Sequence, residues 1–107
     1  MTAIAATVQA FFTERLQSQR QASPRTITAY RDTIRMLLAF TSSKTGKRCH
    51  RLEFTDLNAA AVSAFLNHLE HDRSNNIRTR NARLAAIHSL FSFAALSETS
   101  DNAAYLQ

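Results

Sequence analysis

One glycine, Gly46, and one proline, Pro24, are the only residues of their kind in 107 positions. That scarcity limits the fold more than any other feature of the chain. Tight hairpins rely on Gly, Asn-Gly and Pro turns, so a sheet protein of this length would need more of both. Alanine is frequent and charges are dispersed, which suits helix. The chain reads as one all-α domain with no sheet. Four main helices are predicted near residues 3–20, 24–42, 56–71 and 78–96.

Apolar spacing places each helix. Ile4, Val8, Phe11, Phe12 and Leu16 form the first stripe, at the 3.6-residue period of an α-helix. Ser23-Pro24 opens the second helix, a good N-cap before a first-turn proline. Its stripe is Ile27, Tyr30, Ile34, Leu37 and Leu38, and Gly46 is the natural terminator. The third helix is expected to start at Thr55 or Asp56 and to carry Leu57, Ala61, Val62, Phe65, Leu66 and Leu69. The polar cluster at 72–76 closes it. The fourth buries Leu84, Ile87, Phe91 and Ala94, and SETSDN after Leu96 reads as a loop or linker. Leu84, Ile87, Phe91, Ile34, Leu38, Tyr30, Phe65, Leu69 and Phe12 are expected to share one core.

Formal net charge is +5, and the isoelectric point lies near 10.4. An acidic partner follows, nucleic acid or an anionic surface. The charge is also blocked. Residues 44–51 carry four basic groups and no acid, 52–72 four acids and no Lys or Arg, and 73–83 four arginines and no acid. The single cysteine, Cys49, cannot close an internal disulfide, so a reducing, cytoplasmic setting is expected. No stretch reaches membrane-spanning length, and residues 1–13 lack the basic start of a signal peptide.

Helical geometry sorts the arginines by face. On the fourth helix, Arg78, Thr79, Ala82, Ala86 and Ser89 fall opposite the Leu84 stripe. Arg83 lies on the flank, and Arg80 falls near the stripe, placed to reach around the helix end or to pair with an acid. Phe93 also falls opposite the stripe, against the bundle or against something outside it. On the second helix, Arg25, Thr28 and Asp32 point away from Ile34, Arg35 is on the flank, and Arg31 lies nearer the core. Small residues flanked by long cations suit close approach to a DNA groove. Asp32 would repel phosphate, which places the contact on the first turns of the second helix.

The stretches SPRTITAYRDTIRMLLAF and TRNARLAAIHSLFSFA, with DLNAAAVSAFLNHLE between them, together resemble the N-terminal core-binding domain of the tyrosine recombinases, or phage-type integrases. The resemblance covers roughly residues 4–105. It implies a four- to five-helix orthogonal bundle of SAM-like type over residues 1–97. Residues 98–107 would then begin a linker to a separate catalytic domain. The family pattern often has proline after an asparagine in that linker; here Ala103 follows Asn102. In such proteins the N-terminal parts of the second and fourth helices approach the major groove of duplex DNA. By position this implies Arg25, Thr26, Thr28 and Arg35 on the second helix, and Arg78, Thr79 and the Ala82-Arg83 pair on the fourth. Ala82 offers only a methyl contact to a base. The basic loop at 44–51 is a further candidate for phosphate contacts.

The family's chemistry uses a tyrosine nucleophile among Arg, Lys and His groups. Tyr30 lies on a buried stripe and Tyr105 sits at the end, neither followed by such a cluster. The chain is therefore expected to be catalytically inert, a domain of a longer recombinase. Other recombinase protomers would be partners through the full-length protein. No metal, cofactor or small-molecule substrate is expected. His68 and His71 share a helix face beside Glu70, and Cys49 precedes His50, but neither pair has the further ligands a metal site requires. No helix pairs a long basic face with exposed bulky apolar residues, which argues against a membrane-surface role. A helical protein–protein interaction module is the alternative function.

Overall fold

The structure, a computed structural model, describes residues 4–19, 21–71 and 76–106. Every element among them is helical. α1 (Ile4–Ala10) runs directly into a π-helix, Phe11–Gln19. Continuous α-helix was the expectation here. Packing accounts for the difference. Phe11 and Leu16 are both buried although five residues apart. In an α-helix that spacing separates two side chains by about 140°. The wider π turn brings them toward one face. Gln21 then takes a left-handed conformation, φ 48°, and the Ala22 N–H donates to the Leu16 carbonyl at 2.8 Å.

α2 (Pro24–Thr45) begins as its sequence implies. The Ser23 hydroxyl oxygen accepts the Thr26 N–H at 3.2 Å, and Pro24 occupies the first turn. The helix stops at Gly46, the expected terminator, whose φ is 78° and whose N–H donates to the Ser42 carbonyl. A Cβ added at Gly46 would meet nothing within 4 Å. Gly46→Ala should therefore cost only the left-handed backbone, about 1 kcal/mol. Thermal melting should show a drop of roughly 4–8 °C, and a much larger drop would point to contacts made by this turn.

α3 (Ala59–His71) starts three residues later than expected from Asp56. Asp56 instead closes a 3₁₀ turn, Phe54–Asp56, through a capping box with Glu53. Its carboxylate accepts the Glu53 N–H at 2.9 Å and pairs with Lys47 at 3.0 Å. Those two contacts, the backbone one first, hold its pKa below the ordinary carboxylate value. The helix cap is Asn58, whose side-chain oxygen accepts the Ala61 N–H at 2.9 Å. A second 3₁₀ turn, Cys49–Arg51, lies in the basic segment.

α4 (Ile77–Leu106) is capped by Asn76, which accepts the Thr79 N–H at 2.8 Å. It continues through residues 97–106, where a loop was expected. No glycine or proline stands there to stop it, and Ser, Thr, Asp and Asn are each only moderately unfavourable in a helix.

α4 packs on α2, α3 and the π-helix. The expected single core is two clusters. One gathers Ile4, Leu37, Leu52, Leu57, Phe65, Leu66, Leu69 and Ile87, with Leu84 against it. The other gathers Phe11, Leu16, Ile34, Leu90 and Phe93, with Tyr30 and Phe12 against it. Leu38, Phe54 and Phe91 border both. Because α4 is covered on more than one side, Ala86 is buried, not outward as its position opposite Leu84 implied. Phe93 faces the bundle, 5.7 Å from the Phe11 ring, with the Arg15 guanidinium 5.4 Å above it.

Candidate nucleic-acid interface

The first half of α4 lies beside the first half of α2. Arg83 joins them: its Nη1 donates to the Thr33 hydroxyl oxygen at 3.1 Å across fifty residues of sequence. Thr33 is buried and its own hydroxyl donates to the Ala29 carbonyl at 3.0 Å. The threonine oxygen thus has both a donor and an acceptor role filled.

Beside this contact lies a groove of about 440 Å³. α2 lines it with Ala29, Tyr30, Asp32 and Thr33, and α4 with Arg78, Thr79, Ala82 and Arg83. The two alanines keep the walls low. The two guanidiniums face one carboxylate, so the groove is cationic on balance. Arg78 is exposed, whereas Arg83 is half-buried with its Nε enclosed and unbonded. The two arginines therefore differ in freedom although they share a wall.

The expected α4 residues, Arg78, Thr79, Ala82 and Arg83, come together in this groove. The expected α2 residues do not line it. Arg25, Thr28 and Arg35 are exposed on α2 outside the lining set. Thr26 is half-buried and bonded into the helix cap, accepting from the Ser23 hydroxyl at 3.0 Å. The α2 wall is instead Ala29, Tyr30, Asp32 and Thr33, which lie between Thr28 and Arg35 in the chain. Of these, Tyr30 was read as a stripe residue of the core, and Asp32 as a charge that argued against anion binding. Thr33 carried none, because its role depends on Arg83.

The remaining cations are largely committed. Arg80 pairs with Glu70 of α3 at 3.7 Å, as its position near the stripe implied. Arg31 is exposed over the Phe12 ring at 5.9 Å, and Lys44 lies over Phe40 at 5.5 Å. Lys47 is held by Asp56. Arg48 and Arg51 are exposed and lie outside the groove lining; between them Cys49 packs back on α2, its Sγ 3.8 Å from the Leu38 carbonyl oxygen. Arg20 and Arg73 lie outside the described residues. His68 packs its ring on Phe40 at 5.2 Å.

Residues 9–98 match the family described as phage integrase, N-terminal SAM-like domain. The chain belongs to that family. The match takes in both walls of the groove. Two curated relatives from Sinorhizobium fredii align along most of this integrase-type domain. The "Putative integrase/recombinase y4rC" is 44% identical over 104 residues, which is 97% of this chain and 31% of that protein. Its namesake y4rD is 41% identical over 95 residues, 89% of this chain and 34% of that protein. The chain thus spans about a third of the length of the curated relatives it matches. No solved structure matches it. Among the described residues, no helix of this SAM-like domain is long and apolar enough to cross a membrane.

Proposed function

We propose that this domain grips one face of duplex DNA for a site-specific tyrosine recombinase. The observation that carries the proposal is the α2–α4 groove, where Arg78, Thr79, Ala82 and Arg83 converge with Ala29, Tyr30, Asp32 and Thr33 of α2. Its low alanine walls and two arginines suit a phosphate strand bordering the major groove. Arg78 supplies a mobile cation for phosphate oxygens, and Arg83 a held one. Arg25 and Arg35, exposed on α2, extend the positive edge. The names of the relatives, integrase and recombinase, point to the same substrate.

Strand cleavage belongs to another part of the recombinase in this proposal. Neither Tyr30, half-buried against Phe11, nor Tyr105 is assigned a catalytic role. In this reading residues 98–106, which are helical, lead toward the remainder of the enzyme. Other protomers meet this one on DNA through the whole protein, in the cytoplasm.

Salt distinguishes this function from a protein–protein module. Duplex DNA binding by the chain should weaken steeply as salt rises, because each neutralised phosphate releases counterions. Affinity should be modest, since a one-sided grip lacks the linked second contact of a clamp. Titration of a labelled duplex at several salt concentrations tests this. Binding that is absent, or indifferent to salt, would favour the protein-interaction alternative.

A further inference from the structure

We propose that Thr33 is a positioning residue for DNA recognition: it fixes the guanidinium of Arg83 before DNA arrives. The inference rests on the DNA-binding function proposed above and adds a specific division of labour between two arginines.

Arg83 and Arg78 stand on the same wall, but the structure treats them differently. Arg78 is exposed. Arg83 has Nη1 bonded to Thr33 at 3.1 Å and Nε enclosed without a partner. Arginine carries five N–H donors in a rigid plane. With Nη1 tethered and Nε enclosed, the plane is held, and the remaining Nη donors are what the groove can use. Thr33 is itself immobile: it is 3% exposed and its hydroxyl proton is committed to the Ala29 carbonyl. The tether is therefore anchored to helix backbone and not to a free rotor.

A cross-link serving only to join the helices has no need of a charged group. Apolar contacts already join them, with Leu90 of α4 in the same cluster as Ile34 of α2. Placing a cation there, half-buried yet lining an open groove, is useful when its direction matters. A donor held in place loses less freedom on binding, so fixing it strengthens association without adding a contact.

Thr33→Val keeps the shape and removes the hydroxyl; Thr33→Ser keeps the hydroxyl. Thr33→Val should bind duplex DNA roughly two- to ten-fold more weakly, the range expected for ordering one long side chain. Its salt slope should be unchanged, because both arginines are still present. Thr33→Ser should bind like the original chain. In the absence of DNA, nitrogen-edited NMR should show resolved Arg83 Nη signals in the original chain and in Thr33→Ser, averaged together in Thr33→Val. Thr33→Val binding as tightly as the original chain overturns the positioning role and leaves the DNA function standing. Equal weakening in Thr33→Val and Thr33→Ser, in step with lost thermal stability, also overturns it, since Thr33 would then be core packing alone. If the original chain shows no salt-dependent binding, both proposals fall.

Discussion

Phe11→Ala should lower the stability of the domain by about 3–5 kcal/mol, the usual range for deleting a buried aromatic side chain. Phe11 is fully enclosed and sits at the junction of α1 and the π-helix. Its ring lies 5.3 Å from Phe12, 5.7 Å from Phe93 and 6.4 Å from Tyr30. One residue thus joins the first helical segment to α2 and α4. Removal leaves a cavity that three separate elements would have to close together. Small domains are stable by only about 5–15 kcal/mol, so the loss is a large part of the total. At roughly 4 °C or more per kcal/mol, the melting point should fall by more than about 10 °C. Phe12→Ala, at a half-buried neighbour, should cost clearly less. Equal small losses from both would mean that the π-helix is not held by the inward turn of Phe11.

The helical punctuation was legible before any coordinates. Ser23, Pro24 and Gly46 each do locally what their residue types do in general, so α2 begins and ends as they dictate. Asp56 misled because a good cap can serve two kinds of turn. It closes a 3₁₀ turn, and Asn58 two residues later caps α3. The π-helix was hidden because Ile4, Val8, Phe12 and Leu16 satisfy an ordinary α stripe; only the joint burial of Phe11 and Leu16 reveals the wider turn. The outward side of α4 was legible in its first two turns, at Arg78, Thr79 and Ala82, where few neighbours cover it. It failed at Ala86, because one stripe cannot describe a helix packed on several sides. The α2 wall of the groove, Ala29, Tyr30, Asp32 and Thr33, was not legible for a related reason. Which strip of α2 faces α4 depends on how the two helices dock, and that is a tertiary fact. Arg83 and Thr33 are fifty residues apart, with nothing in either local pattern to link them.

The second large effect concerns DNA. Changing Arg78 and Arg83 together to Ala removes both cations from the proposed groove. If each meets a phosphate, the dependence of log affinity on log salt should flatten by about two units. Arg83 also tethers α4 to Thr33, so melting of the variant must show that the fold survives. Arg48 and Arg51 supply the matched control. They are exposed and carry the same total charge, but neither lines the groove. Arg48→Ala with Arg51→Ala should leave most of the affinity and most of the slope.

Comparing these two double variants, with one labelled duplex titrated over a series of salt concentrations, tests the proposed groove most directly. A strong loss with a flattened slope for the Arg78 and Arg83 pair, and a much smaller change for the Arg48 and Arg51 pair, is the expected result. Equal losses from the two pairs would mean diffuse attraction to a basic surface and would contradict docking at the α2–α4 groove.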